Sequence, residues 1–315
     1  MIHGVLNVYK DKGFTSHDVV AKLRGITGQR KIGHTGTLDP DAAGVLPVCL
    51  GRATKLCDML TDKDKTYEAV LLLGKTTDTQ DISGQVLSTV DTSHLQEEEV
   101  RRAIEQFVGE YAQIPPMYSA LKVNGRKLYE LAREGKVVER KARPVRIREI
   151  RILEMQFPRV RMEVTCSKGT YIRTLCQDIG ERLGCGGCME ELVRTRVGRF
   201  KLEESMTLDA IRCMQEEGIL EEVLIPIDAM FDAYKKMCVK GRWDSLAKNG
   251  NVLPARAVVC AFGHKEDPDM KERADLGIED QESVRLYDEA GQFIGIYRWQ
   301  KEKKEYRIVK MFLQP

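Results

Sequence analysis

The segment Gly33-His34-Thr35-Gly36-Thr37-Leu38-Asp39-Pro40-Asp41-Ala42-Ala43-Gly44-Val45-Leu46-Pro47 leaves the backbone few regular options. Its glycines admit positive φ or close approach, and Pro40 biases Asp39 away from helical geometry. The result is an extended, sterically fixed carboxylate. Val45-Leu46-Pro47-Val48-Cys49-Leu50-Gly51 then reads as a short buried strand, so the loop hangs from a sheet rather than from a linker. Asp39 is therefore a candidate nucleophile, although Gly-x-x-Gly-x-x-Asp-Pro by itself is most often just a turn.

At 315 residues the chain is long enough for roughly two domains with a substantial core. The 50 Lys+Arg and 48 Asp+Glu nearly cancel, so the distribution of charge carries the information. Over residues 122–148 ten basic side chains face three acidic ones, a local excess of +7, whereas over residues 209–232 seven acids face one base, Arg212. Tyr118 and Tyr129 interleave with the basic run. That combination fits phosphate neutralisation with aromatic contacts to unpaired bases; the bland alternative is a solvated helix face.

The nine cysteines form no repeating framework, the N-terminus has no basic-then-apolar leader, and no run of about 18 apolar residues occurs. A soluble, cytoplasmic protein with reduced thiols is the expectation. Cys185-Gly186-Gly187-Cys188 is a lone Cys-x-x-Cys. Zinc needs four ligands, and no second pair or His-x-His cluster stands elsewhere to complete such a site.

Along the chain, residues 4–10 alternate as a strand, and Thr15-Ser16 caps a helix with Val19, Val20 and Leu23 on its apolar face. His17, in its first turn, reads as a surface or half-buried polar group. A helix is expected from Arg52 to near Thr61, then a central strand over residues 65–74 with Tyr67 at its entrance, then a polar surface loop over residues 76–84. Val100, Ile104 and Phe107 mark an amphipathic helix closed by Gly109. Residues 159–166 alternate as a strand with one solvated face. They lead into Ser167-Lys168-Gly169-Thr170-Tyr171-Ile172-Arg173-Thr174-Leu175, where an extended backbone would put Tyr171 and Arg173 on one face. An arginine beside Asp39 would fix that carboxylate by a bidentate contact. A boundary falls near residues 225–228; residues 231–246 read as helical and residues 250–315 as short strands. Among these, residues 284–287 and 293–297 form a hairpin about Asp288-Glu289-Ala290-Gly291, and residues 306–312 form another strand.

The order of residues in four stretches resembles the TruB family of tRNA pseudouridine synthases: the Asp39 loop, Lys65-Thr66-Tyr67, the segment 114–125, and Gly169-Thr170-Tyr171-Ile172-Arg173-Thr174-Leu175. Residues 191–200 follow the same family's pattern, whereas Asp11 stands where the family usually has proline. The resemblance implies an α+β pseudouridine synthase fold: a mixed, mostly antiparallel sheet flanked by helices, with a small PUA-like β-barrel at the C-terminus. It divides the chain into a catalytic domain over residues 1–229, with a basic RNA-clamping insertion near 115–148, and a PUA-like domain over residues 230–315.

The activity it implies is isomerisation of uridine to pseudouridine at position 55 of the tRNA T loop, with the target base flipped out. Asp39 would be the nucleophile, Arg173 its ion partner, and Tyr67 a stacking residue that is also a candidate for proton abstraction. His34, Lys55, Tyr171 and Leu192 would contact substrate, with Leu192 walling the uracil pocket and His34 filling the space the base leaves. The resemblance implies no metal and no cofactor, in keeping with a reaction that involves no redox change or energy input. The partner would be the tRNA T stem-loop, bound by a monomer with no protein partner and no membrane. Two other readings stay open at this point. A glycosidase-like hydrolase would need a second carboxylate, for which Asp41 is available; a non-catalytic RNA-binding module would use only the basic segment and the C-terminal barrel.

Overall fold

The structure is a computed structural model and describes residues 1–260 and 278–313. The chain opens with strand β1 (Gly4–Lys10) and helix α1 (Ser16–Thr27), whose N-cap Thr15 and Asp18 bond reciprocally to each other's backbone amides. β2 (Ile32–His34) and β3 (Ala43–Leu50) bracket the Asp39 loop, and a 3-10 turn leads into the short helix α2 (Cys57–Thr61). Then come β4 (Lys65–Leu73), the hairpin β5 (Lys75–Thr77) and β6 (Val86–Thr89), α3 (Glu97–Glu105) and β7 (Gly109–Gln113). The stretch 76–84, read from the sequence as a polar loop, is mostly the connection between these two strands, with Thr76 and Thr77 inside β5.

The basic run is split between two structures. Its first part is a miniature hairpin, β8 (Lys122–Val123) and β9 (Arg126–Lys127), followed by α4 (Leu128–Arg133), and Leu128 and Leu131 pack with Met117 as a small separate core. Its last part, with Arg143, Arg146 and Arg148, belongs to the long strand β10 (Arg143–Gln156). Val145 and Ile147 are buried between those exposed arginines, an alternation of period two that the charge count conceals. β11 (Arg159–Cys166), α5 (Ile172–Arg182), β12 (Gly187–Val197), β13 (Phe200–Lys201) and α6 (Leu208–Glu216) complete this part.

These strands form one sheet in the order β1-β3-β12-β4-β11-β10-β7, with β2 added to β3 and β13 to β12. Among the described residues only its β3–β12 pairing is parallel, so the sheet is mixed and mostly antiparallel, as expected. β4, β12 and β11 are its centre, and α5 lies across them with Ile172, Leu175, Cys176 and Ile179 buried. That helical spacing corrects the extended reading of residues 171–173: Tyr171 is the N-cap residue of α5 and Arg173 stands in its first turn.

The C-terminal sheet comprises β14 (Lys235–Val239), β15 (Leu253–Pro254), β16 (Val258–Cys260), β17 (Ser283–Tyr287), β18 (Phe293–Gln300) and β19 (Glu305–Met311), with α7 (Asp244–Lys248) after β14. Its order is β15-β19-β18-β17-β14-β16. The two edge strands are joined through residues 255–257 alone, so the sheet has to curl until its edges nearly meet. This barrel-like sheet fits the PUA-like expectation. Residues 231–246 are not one helix: Met237 and Val239 alternate into the barrel core as strand residues, and only Asp244–Lys248 is α-helical. Part of the strand-rich stretch 250–315 lies outside the described residues. Phe231, Ile296 and Phe312 pack in one cluster with Val5, Val45 and Cys49, so an apolar seam joins barrel and main sheet.

Candidate active site

Asp39 is held by its own backbone before any side chain reaches it. Leu38 donates its N–H to the Ser16 hydroxyl at 2.9 Å, and the Pro40 carbonyl accepts from the Gly13 N–H at 2.8 Å and from Lys10 Nζ at 3.2 Å. Lys10 is fully buried and also donates to the Phe14 carbonyl at 2.6 Å; burial pulls its pKa down to about 8, opposed first by the charge of Asp39. Arg194, almost fully buried, donates from Nε to the Val45 carbonyl at 2.8 Å and from Nη1 to the Thr37 carbonyl at 3.3 Å, bracketing the loop from β12. Gly44 (φ 111°) takes a left-handed conformation where a Cβ would stand 2.3 Å from the Arg194 carbonyl oxygen, so no other residue fits there. The loop is therefore clamped between β1, α1 and β12.

Arg173 meets the carboxylate from the start of α5. Its Nε stands 2.9 Å from Asp39 Oδ2, with the arginine side chain 6 % exposed and the aspartate 40 % exposed. One partner is sealed and the other opens to solvent. The contact is not the bidentate fork expected, because the rest of the guanidinium is shared out. Nη1 donates to the Thr79 carbonyl at 3.2 Å and lies 3.5 Å from Asp81 Oδ2, while Nη2 donates to the Tyr118 carbonyl at 3.0 Å. Asp81 is itself fixed, its Oδ1 accepting from the hydroxyls of Thr79 (2.9 Å) and Ser83 (2.6 Å) and from the Ser83 N–H (3.1 Å).

Tyr67 and Leu192 share the apolar cluster under the loop with Leu38, and Tyr67 stands opposite Arg194 in the β4–β12 register. Burial raises the Tyr67 pKa, and Arg194 beside it works in the opposite direction. Tyr171 is half-buried; burial raises its pKa too, and Ser119 beside it lowers it. The structure thus brings Asp39, Arg173, Tyr67, Tyr171 and Leu192 to one place. His34 stands at the start of the same loop, near enough to Arg194 to feel its charge, and Lys55 lies toward the barrel. His34 ends β2 with its ring edge-on to exposed His17, centroids 5.2 Å apart, and burial lowers its pKa. Lys55, assigned to substrate by resemblance, donates to the Met311 carbonyl of the barrel at 2.8 Å, among Lys31, Lys310 and Arg52. Cys185 and Cys188 are buried, and among the described residues no group of three or more His, Cys, Asp or Glu gathers as a metal site.

Three site residues escaped the sequence reading. Asp81 hid in a stretch read as polar surface, although Thr-x-Asp-x-Ser is the spacing of a self-bonded turn. Arg194 shares a strand face with Leu192 at period two, which was a legible sign of burial. Lys10 carried the same sign, at period two from the buried Leu6 and Val8 on β1.

Comparison with known proteins gives this geometry its family. The profile of the TruB family pseudouridylate synthase N-terminal domain matches residues 24–172, and that of the tRNA pseudouridylate synthase B C-terminal domain matches residues 173–232. A tRNA pseudouridine synthase B from Lachnoclostridium phytofermentans is 51 % identical over 99 % of this chain and 100 % of its own length. The chain belongs to the TruB family of pseudouridylate synthases. A second TruB relative, tRNA pseudouridine synthase B of Alkaliphilus oremlandii, is 47 % identical over 84 % of this chain and 91 % of its own. Among solved structures, the Cbf5-Nop10-Gar1 complex contains a chain 27 % identical, with a TM-score of 0.69 over 98 % of this chain and 85 % of that one. The TruB architecture described above is thus shared well beyond close sequence relatives. No helix among the described residues is long and apolar enough to cross a membrane.

Proposed function

We propose that this chain isomerises uridine to pseudouridine in tRNA, acting at position 55 of the T loop. In this reaction the bond from uracil N1 to ribose C1′ breaks, a bond from C5 to C1′ forms, and the C5 proton leaves as N1 gains one, so the formula is unchanged. No oxidant, water or energy source enters the balance. The observation that carries the reading is the partly exposed Asp39 carboxylate held at 2.9 Å by a buried arginine, in a member of this family.

Asp39 is the nucleophile, fixed by the clamped loop and by Arg173 so that little reorganisation precedes attack. Tyr67 stacks on the flipped uracil, with Leu192 and Tyr171 as further walls of the pocket. Burial keeps the Tyr67 hydroxyl protonated in the resting state, and Arg194 beside it lowers the cost of the phenolate required for taking the C5 proton. The exposed cations of residues 122–141 meet phosphates of the T stem-loop. Asp41, the acid that a hydrolase would have used, is exposed; the second carboxylate on Arg173 is Asp81, tied down by Thr79 and Ser83.

Incubating the protein with unmodified tRNA, followed by pseudouridine-specific derivatisation and mass spectrometry, tests the reading. Pseudouridine confined to position 55 with no free uracil is expected; uracil release would make the protein a hydrolase.

A further inference from the structure

Gln113 is the last residue of β7, the edge strand, and is 1 % exposed. Both ends of its amide are spent on one residue of another element: Nε2 donates to the Tyr171 carbonyl at 2.9 Å, and Oε1 accepts from the Tyr171 N–H at 2.8 Å. Tyr171 is the N-cap residue of α5, and its side chain makes no capping bond. The start of this helix is therefore anchored to the sheet edge by a side chain 58 residues away. Tyr111, two residues earlier on β7, donates its hydroxyl to the Asp178 carboxylate two helical turns further along α5, so the edge strand grips the helix twice. Tyr118, just beyond Gln113, gives its carbonyl to Arg173 Nη2.

We propose that Gln113 is a positioning residue for the isomerisation: by fixing the Tyr171 backbone it sets where α5 begins, and so holds Arg173 against Asp39 and Tyr171 in the pocket wall. Gln113 touches no reacting atom. Its effect is on the placement of the arginine, and a guanidinium shared among four acceptors has no slack to absorb a shift of the helix start. The proposal rests on the isomerase reading above.

The test is Gln113→Glu, with Gln113→Ala beside it. A protonated glutamic acid copies the amide, accepting through its carbonyl and donating through its hydroxyl, whereas the carboxylate keeps only the acceptor and turns a second lone pair on the Tyr171 carbonyl. Burial favours the acid at this position; Arg143, opposite Gln113 in the β7–β10 register, favours the carboxylate. With saturating unmodified tRNA at pH 8, kcat should fall about tenfold or more for Gln113→Glu, and further for Gln113→Ala, with KM within about twofold. The ratio of Gln113→Glu kcat to parent kcat should recover as pH is lowered and the acid forms. Melting temperatures recorded at each pH identify the range in which both proteins are folded. A Gln113→Glu enzyme within twofold of the parent at pH 8, or a ratio flat with pH across that range, overturns the proposal even if Gln113→Ala fails to fold. A parent that forms no pseudouridine overturns the isomerase reading and this proposal with it.

Discussion

Asp39 and Asp81 are held by different edges of one guanidinium: Arg173 Nε takes the first at 2.9 Å, and Nη1 faces the second at 3.5 Å. The two carboxylates differ in freedom. Asp39 opens to solvent, whereas Asp81 is 16 % exposed and bonded to Thr79 and Ser83, so in the proposed reaction Asp81 would aim the arginine and leave the chemistry to Asp39.

Asp81→Asn should therefore lower turnover while sparing tRNA affinity. A hydrogen bond to a charged group contributes about 1.5–3 kcal/mol, so the single-turnover rate should fall about 10- to 100-fold. A variant with normal turnover and weakened binding would make Asp81 an RNA contact instead. Single-turnover kinetics and filter binding on the same preparations separate the two.

Much of this site was legible in the residues. The Asp39 loop declared itself because proline restricts the backbone and glycine frees it wherever they stand, and Lys65-Thr66-Tyr67 lay at the mouth of an unmistakably apolar strand. What failed depended on long-range contacts. Tyr171 and Arg173 look like an alternating pair, but Ile172, Leu175, Cys176 and Ile179 gain more by packing on the sheet as a helix. Residues 231–246 look helical, yet Met237 and Val239 fill a barrel whose other strands are recruited from residues 253–311. The bond from Lys55 to the Met311 carbonyl was equally illegible, since nothing local points across to the barrel.

Tyr67→Phe separates stacking from proton transfer, since phenylalanine keeps the ring and loses the hydroxyl. Severe loss of turnover with near-normal tRNA binding is expected, because the hydroxyl sits beside Arg194 in a buried setting suited to a stabilised phenolate. If Tyr67→Phe matches the parent and Tyr67→Leu is inactive, stacking alone accounts for the tyrosine. Pseudouridine formation timed for all three proteins decides it.

The exposed cations Lys122, Arg133, Lys136 and Lys141 should carry part of the affinity for tRNA. Replacing all four by glutamine should weaken binding and flatten its dependence on log[salt] by up to about three units, at about 0.7–0.9 for each phosphate no longer neutralised. Folding should barely respond, since exposed charges seldom contribute more than about 1 kcal/mol each. Superimposable salt slopes for variant and parent would move the RNA-binding face elsewhere on the molecule.

Whether Asp39 performs the covalent step is decided by Asp39→Asn. The amide keeps the size of the side chain and removes the nucleophile, while the phosphate contacts lie elsewhere. Pseudouridine should be undetectable at position 55 of an unmodified tRNA incubated with excess Asp39→Asn protein, under conditions where the parent converts it fully, with tRNA affinity within about threefold of the parent. Substantial pseudouridine formed by Asp39→Asn, shown by mass spectrometry to be free of deamidation back to aspartate, would mean that Asp39 is not the nucleophile.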